Sequence, residues 1–250
     1  MSEEFKNLIL KFKEINKKKY IKGINNNLIN SAGLTFEQLL GKKADSMFFP
    51  DYEGIEIKCT QRFSHYPIGL FSLAFEGPEL FETSKILKKY GYRDYIFFGY
   101  KKLIGTLRYN EKILIGRKYF ELCIDDENKK IYLKIYNIKN KLLAIRGFID
   151  YTTVKDRLET KLNNLSLIYA SKKKENNDLY FRYYKIECFN LKNFETFIRL
   201  IKEDVIKVTI MLRFSRNYNT LGKNKNKGLM FAIEKDKIEN LFKKIYSYEN

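Results

Sequence analysis

Residues 48–61 read FFPDYEGIEIKCTQ. From Ile55 to Cys59 apolar and polar residues alternate. The second half therefore reads as a strand, with Ile55, Ile57 and Cys59 on one face and Glu56 and Lys58 on the other. Pro50 cannot donate to a strand ladder and Gly54 permits a sharp turn, so PDYEG is expected to bend and return Asp51 beside Glu56. Two carboxylates converging with one lysine suit phosphodiester hydrolysis. The carboxylates hold Mg²⁺, which neutralises developing charge and lowers the pKa of bound water, and the lysine orients or helps deprotonate that water. The Ile57 carbonyl, lying between them, is a further candidate ligand. An E-x-K pattern is also common on solvated strand faces, as a weak ion pair. This stretch alone leaves both readings open.

The chain has 250 residues, enough for one large domain or two lobes. At 44% hydrophobic, with 20 Phe and 19 Tyr, it can build a sizeable core rather than remain disordered. No apolar run approaches the roughly 18–20 residues that span a bilayer. The N-terminal MSEEFKNLILKFKEINKKKY is a charged amphipathic stretch with no leader-like apolar region, so a soluble cytoplasmic protein with no membrane partner is expected. Cys59, Cys123 and Cys188 form no CxxC pair and read as buried thiols. A single histidine, His65, argues against histidine catalysis or a multi-histidine metal site. Neither GxxxxGK[ST] nor GxGxxG occurs, which disfavours a nucleotide cofactor. With 48 basic against 30 acidic residues the net charge is +18, which favours a polyanionic partner. An AT-rich coding bias toward Lys, Asn, Ile, Tyr and Phe accounts for that charge equally well.

Along the chain, Phe5, Leu8, Phe12 and Ile15 fall at helical spacing and indicate an amphipathic first helix. INNNLINSAGLT (24–35) reads as a polar loop. Thr35 with Gln38 offers an N-cap and Gly41 a C-cap, so TFEQLLG (35–41) reads as a short capped helix. Strands are predicted at 54–60, 68–76, 94–103 (DYIFFGYKKL), 119–125, 130–137, 178–189, 205–214 and 229–233, with the hairpin turn DDENK joining the fourth and fifth. Helices are predicted at 79–91, 154–165, 191–204 and 235–248 (KDKIENLFKKIYSY). Such a mixture without regular βαβ alternation gives an α/β or α+β fold with a mixed sheet flanked by helices.

The run GLTFEQLLGKKADSMFFPDYEGIEIKCT (33–60) resembles the MvaI/BcnI-like restriction endonucleases, relatives of the MutH-type nickases in the PD-(D/E)XK superfamily. The elements that carry the likeness are Thr35-Phe36-Glu37, Leu39-Leu40-Gly41, Pro50-Asp51, Glu56-Ile57-Lys58, and Leu70-Phe71 with Pro78. YFELCIDDENKKIYL (119–133) is similar to the family's hairpin after the core, and KNKGLMFAIEKDKIENLF (225–242) to its C-terminal glycine–strand–helix element. Phe36, where leucine is usual, and Cys59-Thr60 depart from the pattern. The basic C-terminal loop also lacks the histidine often found before the glycine. The resemblance implies a restriction-endonuclease-like domain over 1–250, with two lobes around a DNA cleft. A catalytic lobe would cover about 1–110 and a recognition lobe about 111–250. It further implies Asp51 and Glu56 as metal ligands, Lys58 as the water-positioning lysine and Glu37 as an auxiliary acid. A solvated first-turn glutamate is the other reading of Glu37.

The activity so implied is a type II, Mg²⁺-dependent endonuclease (Mn²⁺ able to substitute) that cuts double-stranded DNA to 5′-phosphate ends. A monomer is implied, with a cognate methyltransferase as genetic partner. For sequence reading, the best candidate is RFSRNYNTLGKNKNKG (213–228). Arg213, Arg216, Asn217 and Asn219 offer forks for guanine and adenine edges, and Lys223 and Lys225 are further DNA-binding candidates. SKKKENND (171–178) reads as a solvated loop and His65 as a structural histidine. The rival functions are a MutH-like repair nickase and a non-catalytic DNA- or RNA-binding protein.

Overall fold

In the computed structural model the described residues are 1–25, 30–41, 49–61, 64–76, 82–214 and 227–250. In chain order they form α1 (Glu3–Lys17), β1 (Ile21–Lys22), α2 (Ser31–Leu39), β2 (Ile55–Gln61), β3 (Ile68–Leu73), α3 (Glu82–Tyr90), β4 (Tyr92–Arg93) and β5 (Lys101–Leu107). Next come β6 (Ile113–Ile115), β7 (Lys118–Asp125), β8 (Lys130–Tyr136), β9 (Leu142–Asp150) and α4 (Tyr151–Leu162). The last third holds β10 (Asn164–Glu175), β11 (Asp178–Leu191), α5 (Phe194–Lys202), β12 (Ile206–Arg213), β13 (Gly228–Ile233), α6 (Ile238–Leu241) and β14 (Phe242–Glu249). The fold is mixed α+β. Among the described residues no helix is long and apolar enough to cross a membrane.

The chain divides into two compact units, each assembled from separated stretches. One comprises Met1–Ile68, Arg157–Phe194 and Lys235–Asn250, and the other Gly69–Asp156 and Glu195–Glu234. A boundary near residue 110 falls inside the second unit. The reason is pairing: α4 returns the chain so that β10 can lie parallel to β2 and β11 antiparallel to β10.

In the first unit the sheet order is β1-β11-β10-β2, with β14 on the same edge of β11 as β1. α1 and α2 cover one face of this sheet. Phe5, Leu8 and Phe12 of α1 and Phe36 of α2 pack with Ile55, Ile57, Ile168, Phe181 and Tyr183. Phe36 lies 5.0 Å from Tyr183, centroid to centroid, and the Tyr183 hydroxyl donates to the Ala32 carbonyl at 2.8 Å. The helical spacing read in the sequence for α1 is the buried stripe of this layer. In the second unit, β3-β13-β12-β5-β4 and β6-β7-β8-β9 form two sheets. The aromatic triad Phe71, Phe197 and Phe231 packs at the core of this unit, with centroids 5.1–5.6 Å apart.

Several elements differ from the sequence reading. α2 begins at Ser31, so Thr35 is an internal residue. Its hydroxyl donates to the Ser31 carbonyl at 2.7 Å and accepts the Ile24 N–H at 3.2 Å. Gly41, at φ +83°, does end the helix as expected. DYIFFGYKKL is a turn followed by β5. SKKKENND forms the two arms of the β10–β11 hairpin, closed by Asn176 and Asn177 at φ 46° and 68°. KDKIENLFKKIYSY is helical only to Leu241. Its remainder becomes β14, because β11 offers an open edge that pairs Leu191↔Phe242 through Lys185↔Glu249. The strands β9 and β10 escaped the sequence reading altogether.

Candidate active site

The site is built on a two-residue hairpin turn. Tyr52 and Ile55 exchange both backbone hydrogen bonds, at 3.0 and 2.7 Å, around Glu53 (φ 44°) and Gly54 (φ 79°). Positive φ at both central residues makes this a type I′ turn, the twist-matched connection for adjacent strands. The next pair outward is Asp51 opposite Glu56. The spacing from Asp51 to Glu56 therefore sets two carboxylates across from each other. Asp51 Oδ2 accepts the Ile57 N–H at 3.0 Å, which fixes its carboxylate against the strand.

β2 is the outer strand of its sheet path, and the Ile57 N–H points to the Asp51 side, away from β10. In an extended strand a residue's carbonyl points to the same lateral side as its N–H. Pro50 would sit opposite Ile57 in a longer hairpin, and it has no N–H to give that carbonyl. The proline of the motif thus leaves the Ile57 carbonyl without a ladder donor from that position.

Glu56 and Lys58 share the face opposite Ile55 and Ile57. Glu56 is 1% exposed. Its Oε1 accepts a hydrogen bond from Lys58 Nζ. Its Oε2 lies 3.0 Å from Lys161 Nζ, a charge contact without hydrogen-bond geometry. Burial pushes the Glu56 carboxyl above its ordinary range. The Lys58 charge opposes that shift and the Asp51 charge adds to it. An isolated carboxylate at this depth is strongly disfavoured, so Glu56 stays charged here only with cations on both oxygens.

Lys161 was not singled out from the sequence. It sits in the last turn of α4 among Val154, Leu158 and Leu162, each fully buried. A lysine inside an apolar helical stripe is the signal that was available.

Glu37 lies on α2 near Gly33 and acts electrostatically on Cys59, whose side chain points away from the Glu56 face. Burial, with the Glu37 charge adding, lifts the Cys59 thiol to about 12, so it is no nucleophile. His65 is exposed between β2 and β3, not a core histidine. Arg213 ends β12 opposite Lys102. Arg216, Asn217, Asn219, Lys223, Lys225 and Pro78 lie outside the described residues.

Among the described residues no three His, Cys, Asp or Glu side chains gather as a metal cluster. The donor set here is a carboxylate pair beside a carbonyl oxygen. That suits a hard cation such as Mg²⁺, which keeps several waters and shares phosphate oxygens with its substrate. The cationic demand of buried Glu56, met here by two ammonium groups, points the same way.

Residues 9–242 match the profile of the MvaI/BcnI restriction endonuclease family. The chain belongs to that family. It is an enzyme, a type II site-specific deoxyribonuclease, as the likeness of residues 33–60 implied. Among solved structures, the restriction endonuclease MvaI–cognate DNA substrate complex aligns at TM-score 0.87 with 22% identity, covering 98% of each chain. Restriction endonuclease MvaI in the absence of DNA aligns at TM-score 0.60 with 23% identity, again over 98% of each chain. Among curated proteins, no sequence matches this chain.

Proposed function

We propose that this member of the MvaI/BcnI family hydrolyses phosphodiester bonds at a specific sequence in double-stranded DNA. The reaction uses Mg²⁺, or Mn²⁺ in its place, and leaves 5′-phosphate and 3′-hydroxyl ends. The observation that carries this reading is the type I′ turn, which sets Asp51 across from Glu56 while Lys58 shares the Glu56 face. Bound there, the cation supplies charge neutralisation at the scissile phosphate and a more acidic water.

The protein groups do the positioning. Asp51, steadied by the Ile57 amide, and Glu56 would hold the cation, with the Ile57 carbonyl as a further candidate ligand. Lys58 is the more accessible of the two lysines on Glu56, its side chain 26% exposed against 10% for Lys161. With a cation on Glu56, Lys58, already on the Glu56 face, would be the group to orient the attacking water against a phosphate oxygen. Glu37 is kept as the auxiliary acid that the family likeness implies, and it lies on the Cys59 side of β2.

The DNA partner is supported by the family and by the MvaI relative solved with its cognate DNA. Arg213, Arg216, Asn217 and Asn219 are assigned to base edges, and Lys223 and Lys225 to phosphates. On this reading the enzyme acts as a monomer in the cytoplasm, with a cognate methyltransferase protecting host DNA.

The test is cleavage of plasmid DNA with Mg²⁺, mapped by run-off sequencing. Wild-type protein should cut at one recurrent sequence. Asp51→Ala and Lys58→Ala should each slow cutting by at least about a hundredfold while retaining DNA binding. Near-wild-type turnover by either purified variant would sink the assignment.

A further inference from the structure

The turn between β4 and β5 carries a surface that the catalytic site does not use. The chain leaves at Arg93 and returns at Lys101. Asp94 closes the neck: its N–H donates to the Tyr100 carbonyl at 2.9 Å, and its Oδ1 accepts the Ile96 N–H at 3.2 Å and lies 3.5 Å from Lys102 Nζ. Asp94 is 3% exposed, so a buried, paired charge fixes this neck. Beyond it, Tyr95, Ile96 and Phe98 stand 75%, 67% and 73% exposed. Large apolar side chains scattered singly over a surface are ordinary, whereas three together at one tip mark a contact surface.

Charge decides what that surface meets. Between residues 85 and 102 there are six cationic side chains and one acidic one, the already paired Asp94. The Arg93 guanidinium lies 5.1 Å from the centre of the Phe98 ring. Lys101 Nζ donates to the Lys88 carbonyl at 2.6 Å, tying the hairpin to the last turn of α3. A partner for an apolar tip ringed by cations must offer dense negative charge around an apolar floor. Duplex DNA does so: phosphates line its grooves, sugars, base edges and thymine methyls form the floor, and the major groove admits a two-stranded ribbon. The Tyr100 ring packs on Phe214 at 5.3 Å, and Phe214 directly precedes the basic stretch 215–226 in sequence.

We propose that the 94–100 turn is a DNA-contacting tip. Tyr95, Ile96 and Phe98 lie against base edges and sugars in a groove of the duplex, while Lys85, Lys88, Lys89 and Arg93 pair with the flanking phosphates. This rests on reading the chain as a DNA endonuclease, and adds a contact surface in the unit that lacks the catalytic strand.

The experiment replaces Tyr95, Ile96 and Phe98 together by serine. All three are exposed, so the fold should be kept, which an unchanged melting temperature confirms. Affinity for a short DNA duplex is then measured by anisotropy, in EDTA and across a salt series. The triple variant should bind at least about tenfold more weakly with an unchanged slope of log affinity against log salt. Lys88→Ala/Lys89→Ala should instead reduce that slope by about 1 to 2. If wild type binds and cuts DNA while the triple variant binds equally well, the tip is overturned and the endonuclease reading stands. If wild type neither binds nor cuts DNA, both fail. If phosphatidylserine–phosphatidylcholine vesicles retain wild type and release the triple variant, with DNA affinity equal, the tip belongs to a membrane surface and the proposal is overturned.

Discussion

Glu56 and its two lysines show how a buried carboxylate is kept usable. At 1% exposure its charge is costly, and removing one partner of such a group typically destabilises by about 3–5 kcal/mol. The sign with pH follows from its raised carboxyl pKa. A glutamate whose folded pKa lies above the ordinary 4.5 contributes full stability below that value and loses it as pH rises through the folded value. Lys161→Met should push the Glu56 carboxyl further up, so the variant should nearly match wild type at pH 4 and fall increasingly behind toward pH 8. A divalent cation bound there should then supply the missing positive charge without competition from Lys161. Denaturant melts of the metal-free protein at several pH values, repeated with Ca²⁺, check both parts. The Ca²⁺-induced stabilisation should be larger in Lys161→Met than in wild type. An equal stability deficit at all pH values would mean that Lys161 only fills space.

The type I′ turn is the element on which the site depends, and Gly54 is its weak point. A Cβ at Gly54 meets nothing within 4 Å, so Gly54→Ala introduces backbone strain at φ 79° and no clash. That strain should cost about 1 kcal/mol. Gly41 is a matched control, since it too has a positive φ, at +83°, and open space around its Cβ but lies at the end of α2. Gly41→Ala should cost similar stability and leave Ca²⁺ affinity alone, whereas Gly54→Ala should weaken Ca²⁺ binding by displacing Asp51 from Glu56. Calorimetric titration beside denaturant melts separates the two, and equal Ca²⁺ affinities would detach the turn from the site. This turn was legible in the sequence because strand alternation and a glycine after Glu53 are local signals. β14 was not, because Leu241, Ile245 and Tyr248 fall at helical spacing and only the distant edge of β11 makes them a strand. The start of α2 was hidden for a related reason. Thr35 looks like a cap until its hydroxyl is seen bonding back to Ser31 inside the helix. Lys161 was missed because its partner Glu56 lies over a hundred residues earlier in the chain.

Across the whole molecule, two physical quantities were unequally readable. The division into units was not, because pairing of β2 with β10 joins segments about a hundred residues apart that no composition change announces. The charge was plain from the start, and at +18 it makes opposite predictions for folding and for binding. Like charges repel in the compact state, so raising salt from about 50 to 200 mM should screen that repulsion and raise the melting temperature. Over the same range DNA affinity should fall by about 10³–10⁵ if six to ten phosphates are contacted, because bound counterions must be displaced less favourably. Adding DNA at low salt should raise the melting temperature, and that gain should vanish at high salt as the bare protein becomes more stable. Thermal melts with and without a duplex across one salt series test all three. A melting temperature that falls with salt in the absence of DNA would show that the local ion pairs, such as Lys161–Glu56 and Lys102–Asp94, outweigh the net charge in setting stability.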